Sequence, residues 1–251
     1  MRGHTLVVLQ ARMSSSRLPG KVMMEINGKP MIYWQIQRIL SSKCVDSLVV
    51  ATSIDPSDDS LVLFLEENSI NIYRGALDNV LSRYIEVSER YAHDALIRLT
   101  GDCPLVMPEL IDQMVGAFYE QDVEYLSNTL EPTFPDGMDI EIIKEGVLDQ
   151  LLSFNLNKKE KEHVTYGVYT RPELFRLANF RNTHDFSAQR WTVDYQEDLD
   201  FVRRVFLEFK GREATFTYQE VNEFLESNPH LQVENSVFKR NERLHYEGNH
   251  G

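Results

Sequence analysis

The chain has 251 residues, 42% of them hydrophobic and 26% charged, with a net charge of −13 and only two cysteines, Cys44 and Cys103. That length buries a sizeable core, and the composition excludes a disordered, collagen-like or disulfide-stapled chain. No apolar stretch approaches the roughly 18 residues of a membrane span, and Gln10-Ala11-Arg12 interrupts the first apolar run early, so a cytoplasmic location without membrane insertion is expected.

Residues 5–9 read as a buried strand. The segment that follows, Gln10-Ala11-Arg12-Met13-Ser14-Ser15-Ser16-Arg17-Leu18-Pro19-Gly20-Lys21, holds three cations and three consecutive serines. In an open α/β sheet this loop lies at the carboxyl end of the strands, where ligands bind. Serine hydroxyls and backbone N–H groups cradle phosphate oxygens. Arg12, Arg17 and Lys21 neutralise a polyphosphate through charge-assisted hydrogen bonds. A solvated basic loop is the alternative. Residues 1–40 carry six cations against Glu25 alone, a local +5 in an acidic chain. That distribution suits a small anionic ligand and argues against a nucleic-acid partner, which asks for an extended basic face.

Pro30 opens a helix to Leu40. Residues 48–52 form a second strand. Ser57 is expected to cap a helix reaching about Asn68, with Asp58 and Asp59 in its first turn. A short strand at 70–73, an amphipathic helix at 78–91, a strand at 95–99 and a helix opened by Pro108 follow. This alternation predicts a doubly wound, mostly parallel sheet. The second half is less regular. Residues 124–127 and 138–143 alternate with period two, and 166–169, 175–180 and 190–193 read as further strands. Residues 197–210 are an amphipathic helix, and Thr217-Tyr218-Gln219-Glu220 is a capping box for the last one. Without repeats or a linker, residues 1–233 are expected to form one domain, with a polar tail over 234–251 that frays.

Asp102, in Thr100-Gly101-Asp102-Cys103-Pro104, follows the third strong strand. A carboxylate there suits Mg²⁺, which prefers one or two carboxylates plus phosphate oxygens and water. Gly101 is expected to let backbone approach the ligand. The alternative makes Asp102 a cap for a helix after Pro104. Asp194, at the end of another expected strand, is the candidate second ligand, or else a plain N-cap. In Asp136-Gly137-Met138-Asp139-Ile140-Glu141, Asp139 and Glu141 share one strand face that could accept sugar hydroxyls or simply meet solvent. His163 positions substrate, acts as a base, or is structural. Cys103 reads as a small turn residue. Walker A, Gly-x-Gly-x-x-Gly and Gly-x-Ser-x-Gly patterns are absent, which removes support for P-loop kinase, dinucleotide dehydrogenase and α/β-hydrolase readings.

The opening string Ala11-Arg12-x-x-Ser15-x-Arg17-Leu18-Pro19-Gly20-Lys21, with Asn27-Gly28-Lys29-Pro30-Met31-Ile32, resembles the sugar-acid cytidylyltransferases of the CMP-Kdo synthetase and acylneuraminate type. Gly101-Asp102-x-Pro104-Leu105 and Val193-Asp194-x-x-Glu197-Asp198-Leu199 resemble that family's magnesium motifs. Arg98 to Pro104, Phe134 to Glu141 and Glu162 to Thr165 are closer to the homologous spore coat polysaccharide biosynthesis protein F family. The likeness covers about residues 5–205. Two departures, Thr100 where Kdo enzymes carry Gln and the Asp136 to Glu141 string, concern the sugar rather than the nucleotide.

The resemblance implies a Rossmann-like nucleotide-diphosphosugar transferase fold, a mostly parallel mixed sheet flanked by helices, and a homodimer. It implies transfer of CMP from CTP to an acidic sugar acceptor with release of pyrophosphate, for surface polysaccharide or glycan synthesis. In that reading Arg12, Lys21 and Asp102 act in catalysis. Ala11, Arg12, Ser14, Ser15, Ser16, Arg17, Lys21, Thr100 and Gly101 bind nucleotide. Asp102 and Asp194 hold Mg²⁺, and Asp136, Asp139, Glu141 and His163 form the acceptor side. A glycosyltransferase using a preformed nucleotide sugar and a non-catalytic nucleotide-binding protein remain the alternatives.

Overall fold

In the computed structural model, which describes residues 3–233, Leu6, Val7, Val8 and Leu9 are all fully buried because helices cover both faces of the sheet. The elements run β1 (Thr5–Gln10), β2 (Glu25–Ile26), β3 (Lys29–Pro30), α1 (Met31–Leu40), β4 (Ser47–Ser53), α2 (Asp59–Glu67), β5 (Asn71–Gly75), α3 (Val80–Arg90), β6 (Ala95–Thr100) and α4 (Pro108–Glu120). The second half adds β7 (Tyr125–Ser127), β8 (Glu141–Lys144), α5 (Val147–Leu151), α6 (Lys158–Glu162), α7 (Tyr166–Tyr169), β9 (Leu177–Asn179), α8 (Gln196–Glu208) and α9 (Tyr218–Ser227).

The main sheet has the order β5-β4-β1-β6-β8-β7-β9. Strands β5, β4, β1 and β6 are parallel, while β8 runs antiparallel to both β6 and β7. Alternating side chains divide the core into two layers. Val7 and Leu9 face the apolar sides of α1, α2, α4, α8 and α9. Leu6 and Val8 face α3, α5 and α7. The expected mixed sheet flanked by helices is the observed architecture. Among the described residues no helix is long and apolar enough to cross a membrane. The tail expected to fray, 234–251, lies outside the described residues.

Local readings need four corrections. Asp55, not Ser57, caps the first turn after β4: its carboxylate accepts from the Ser57 N–H at 2.9 Å. Tyr166–Tyr169 is a helical turn, because Val168 N and Tyr169 N bond back to the Thr165 carbonyl and no strand lies alongside. Residues 138–140 are extended but unpaired in the sheet, so β8 starts only at Glu141. Residues 190–193 are extended too, yet their partners belong to two different segments. Trp191 N donates to the Asp136 carbonyl at 2.6 Å and Val193 N to the Asp102 carbonyl at 2.8 Å. A ladder needs one continuous partner, so only the bridge between Asp136 and Arg190 forms.

Candidate active site

The chain reverses direction across the sheet at β1, with β4 on one side and β6 on the other. Such a switch point opens a crevice at the carboxyl ends of the strands. A cleft of about 590 Å³ lies there. Ala11, Arg12, Ser15, Ser16, Arg17 and Lys21 reach it from the end of β1, and Thr100, Gly101 and Asp102 from the end of β6. Because β8 is antiparallel, its beginning meets the end of β6, with Glu141 opposite Arg98. That brings Asp136, Asp139 and Glu141 into the same cleft, and the α6–α7 segment adds His163. Every residue expected at the site lines it except Ser14, which is exposed and is not among the lining residues.

One expected detail is extended and another changes. Gly101 also has a packing role: a Cβ there would lie 3.0 Å from the Ala11 Cβ, so its hydrogen lets the two loops pack against each other. The Gly101 N–H is committed to the Gln10 carbonyl at 2.7 Å. The Ser15 N–H, expected to cradle phosphate, donates instead to the Met13 carbonyl at 3.0 Å.

Lys21 follows Gly20, whose φ of +73° turns the chain into a short 3-10 turn. The turn buries the ammonium. It donates to the Val193 carbonyl at 2.6 Å, to Asp194 at 2.9 Å and to Asp102 at 3.4 Å. Arg17 pairs with the other Asp194 oxygen at 2.5 Å. Burial would depress the Lys21 ammonium, but Asp102 and Asp194 outweigh it and hold its pKa above the ordinary range. Burial would likewise raise the Asp102 carboxyl, yet Lys21 and the Thr100 hydroxyl (2.6 Å) bring it down to about 2. Arg12 also faces the cleft and forms no ion pair with any described residue.

Neither aspartate acts as a helix cap. The next helix after Asp102 is α4, starting at Pro108. The N–H groups of Asp194 and Tyr195 at the start of α8 are taken by Asp198, at 2.9 and 3.0 Å. The Asp194 side chain is thereby left to Lys21, Arg17 and Arg190. Two ionised, hard oxygen donors within reach of one ammonium form a place that already holds a cation, which fits Mg²⁺ chemistry. Among the described residues no group of three His, Cys, Asp or Glu is arranged to hold a metal.

The end of the cleft lined by Asp136, Asp139 and Glu141 holds arginines that sequence reasoning missed. Arg98 pairs with Glu141, whose other oxygen accepts from the Tyr125 and Thr165 hydroxyls, each at 2.5 Å. Arg190 binds Asp198 through two nitrogens, both at 2.9 Å, and Asp136 at 2.9 Å. Asp139 and Glu141 do share the cleft face, as their two-residue spacing requires, but Glu141 is buried and saturated by protein donors. The signal for Arg98 was its place in the strand two residues from Thr100. For Arg190 the nearby Asp194 and Asp198 were a local signal, whereas its bond to Asp136 crosses 54 positions and leaves none.

A family model described as cytidylyltransferase matches residues 6–228. The spore coat polysaccharide biosynthesis protein SpsF of Bacillus subtilis (strain 168) is 31% identical over 238 residues, covering 91% of this chain and 97% of that protein. The structure of a cytidylyltransferase from Leptospira borgpetersenii serovar Hardjo-bovis (strain JB197) superimposes with a TM-score of 0.87 at 31% identity, over 94% of this chain and 99% of that one. A CMP:2-keto-3-deoxy-manno-octonic acid synthetase complexed with CTP shares the fold, with a TM-score of 0.61 at 19% identity over 82% of this chain and 99% of that one.

Proposed function

The chain belongs to the cytidylyltransferase family, and from that premise we propose that it transfers CMP from CTP to a hydroxyl of an acidic sugar, releasing pyrophosphate. The acceptor oxygen forms a bond to the α-phosphorus. The bond from that phosphorus to the α–β bridging oxygen breaks, pyrophosphate carries away the electron pair, and the hydroxyl proton is lost. Such transfers need positioning and charge neutralisation more than covalent help from the protein.

The observation that carries this reading is the meeting of Lys21 and Arg17 with Asp102 and Asp194 at one switch-point crevice, with Arg12 beside them and in no ion pair among the described residues. Arg12, Ser16, Arg17 and Lys21 face the triphosphate, and Thr100 orients the Asp102 carboxylate. Asp102 and Asp194 are the residues that hold Mg²⁺, which supplies neutralising charge at the phosphates when bound. Asp139 and His163 face acceptor hydroxyls. The acceptor acid faces Lys158 and Arg98, both of which line the cleft. A role in polysaccharide synthesis is supported by the likeness to the SpsF relative.

The test incubates the protein with Mg²⁺, each of the four ribonucleoside triphosphates, and panels of acidic and neutral sugars while pyrophosphate is monitored. Pyrophosphate released only with CTP and an acidic sugar is the expected result. Release with neutral sugars alone would remove the acid. Sugar transfer from a preformed nucleotide sugar, without pyrophosphate, would replace the reading with a glycosyltransferase.

A further inference from the structure

The backbone of the cationic loop is tied down from outside the cleft. Met13 sits between Arg12 and Ser14, and both of its main-chain polar groups are committed. Its carbonyl accepts from Ser15 N at 3.0 Å and from Gly20 N at 2.8 Å, which closes the loop on itself. Its N–H donates to Oδ1 of Asp58 at 2.6 Å, 45 positions along the chain. That bond ties the loop to the end of another strand.

Asp58 is fully buried and does not line the cleft. Its second oxygen is anchored at the end of β4, accepting from Thr52 Oγ1 at 2.9 Å, Ser53 N at 3.0 Å and Ser53 Oγ at 2.5 Å. One oxygen therefore reads the sheet and the other reads the loop. Capping of α2 does not explain this arrangement, since the Asp58 side chain caps neither α2 nor the turn before it. Arg83 adds a charge of the opposite sign to the same interior. It is fully buried, and none of its three guanidinium nitrogens finds a hydrogen-bond partner among the described residues. Burial lowers its pKa, Arg12 lowers it further and Asp58 raises it, so this cation lies within electrostatic reach of both the loop and its anchor.

We propose that Asp58 is a positioning residue for nucleotidyl transfer, acting through the Met13 amide to hold the Arg12–Arg17 loop in its triphosphate-binding shape before nucleotide arrives. The inference rests on the proposed function. A loop ordered in advance does not lose that conformational entropy on binding, so the anchor acts on nucleotide affinity. Removing the acceptor leaves the Met13 N–H unpaired and the loop free to leave its shape.

The test titrates wild type, Asp58→Ala and Thr52→Val with CTP and Mg²⁺ by calorimetry, and measures Tm for each. Thr52→Val removes a donor to the sheet-side oxygen but leaves the bond to Met13, so it reports stability loss without loop release. Asp58→Ala is expected to weaken CTP about tenfold or more, while Thr52→Val stays within about twofold whatever its Tm. Asp58→Ala within twofold of wild type, or both variants weakened equally, would overturn the proposal. Should Asp58→Ala not fold, amide exchange in nucleotide-free wild type decides: Met13 is expected to exchange far more slowly than exposed Ser14, and equal rates overturn the anchor. Failure of wild type to bind CTP is a different result, which defeats the proposed function and this inference together.

Discussion

The two ends of the cleft pair their charges in opposite ways. At the nucleotide end, cations from the loop after β1 meet carboxylates delivered from β6 and from the segment before α8, and Arg12 forms no ion pair among the described residues. At the opposite end, carboxylates are the visible feature of the sequence, yet Arg98 pairs with Glu141, and Arg190 reaches Asp136 as well as Asp198. Counting the carboxylates alone makes that end strongly anionic. Pairing leaves it closer to neutral, with Lys158 and Arg98 among the residues that line the cleft. Formal charge in a segment is thus a poor guide to the field that a ligand meets when buried ion pairs intervene.

The sharpest way to break this arrangement is at Gly137, where the acceptor-side turn presses on the segment that carries Asp194. Its φ is +105°, and a Cβ would lie 2.3 Å from Thr192 N. Gly137→Ala should cost roughly 3 kcal/mol or more and disrupt both ends of the cleft together. Thermal melts and CTP binding check this; a variant with wild-type Tm and affinity would separate the two ends.

Asp194→Asn comes next. It removes the counter-charge shared by Lys21, Arg17 and Arg190. Turnover should fall by about a hundredfold or more, near 2.7 kcal/mol of transition-state stabilisation, while circular dichroism stays native. Less than about a threefold loss would take Asp194 out of the reaction.

Glu141 and Asp139 then distinguish structure from substrate contact at the acceptor end. Glu141→Gln should cost about 2–3 kcal/mol, because it weakens the hold on Arg98, Tyr125 and Thr165. Asp139→Asn should leave Tm nearly unchanged and raise the acceptor KM about threefold to tenfold, with CTP affinity retained. The reverse pattern, a stable Glu141→Gln with a raised acceptor KM, would make Glu141 the substrate contact.

The smallest effect concerns the core that supports the nucleotide end. Burial pushes the Tyr84 phenol up to about 12 from an ordinary 10.0. An unfolded tyrosine ionises above pH 10 while the folded one stays protonated until about 12, so stability falls as pH rises through that window. Denaturant titrations of wild type should lose stability between pH 10 and 12 more steeply than Tyr84→Phe. Equal slopes would show that this phenol does not contribute.

Legibility in the sequence follows the same division. The strands at 5–9, 48–52 and 95–99 were readable because each is covered on both faces and therefore written as an unbroken apolar run. The Thr217–Glu220 capping box was readable because both of its hydrogen bonds close within four residues. Residues 166–169 and 190–193 misled for one reason: four residues that favour a strand do not say whether a neighbouring strand exists to complete a ladder. Asp58 passed as an ordinary acidic residue of a first helical turn. Its bond to Met13 crosses 45 positions and leaves no local trace.

By itself the sequence determined the parallel half of the sheet, the loop that carries the cations, and the carboxylates available to meet them, since apolar runs, Pro, Gly and capping side chains act over a few residues. Only the tertiary structure decided which of those charges meet. Asp194 lies beside Asp102 because Val193 N and Thr192 Oγ1 both bond the Asp102 carbonyl, and because Gly137 lets the acceptor turn close against residues 191–192. Arg98 meets Glu141, and Arg190 meets Asp136 as well as Asp198, for the same reason. Hydrogen bonds and ion pairs between distant segments depend on distance in space, and no spacing along the chain encodes that distance.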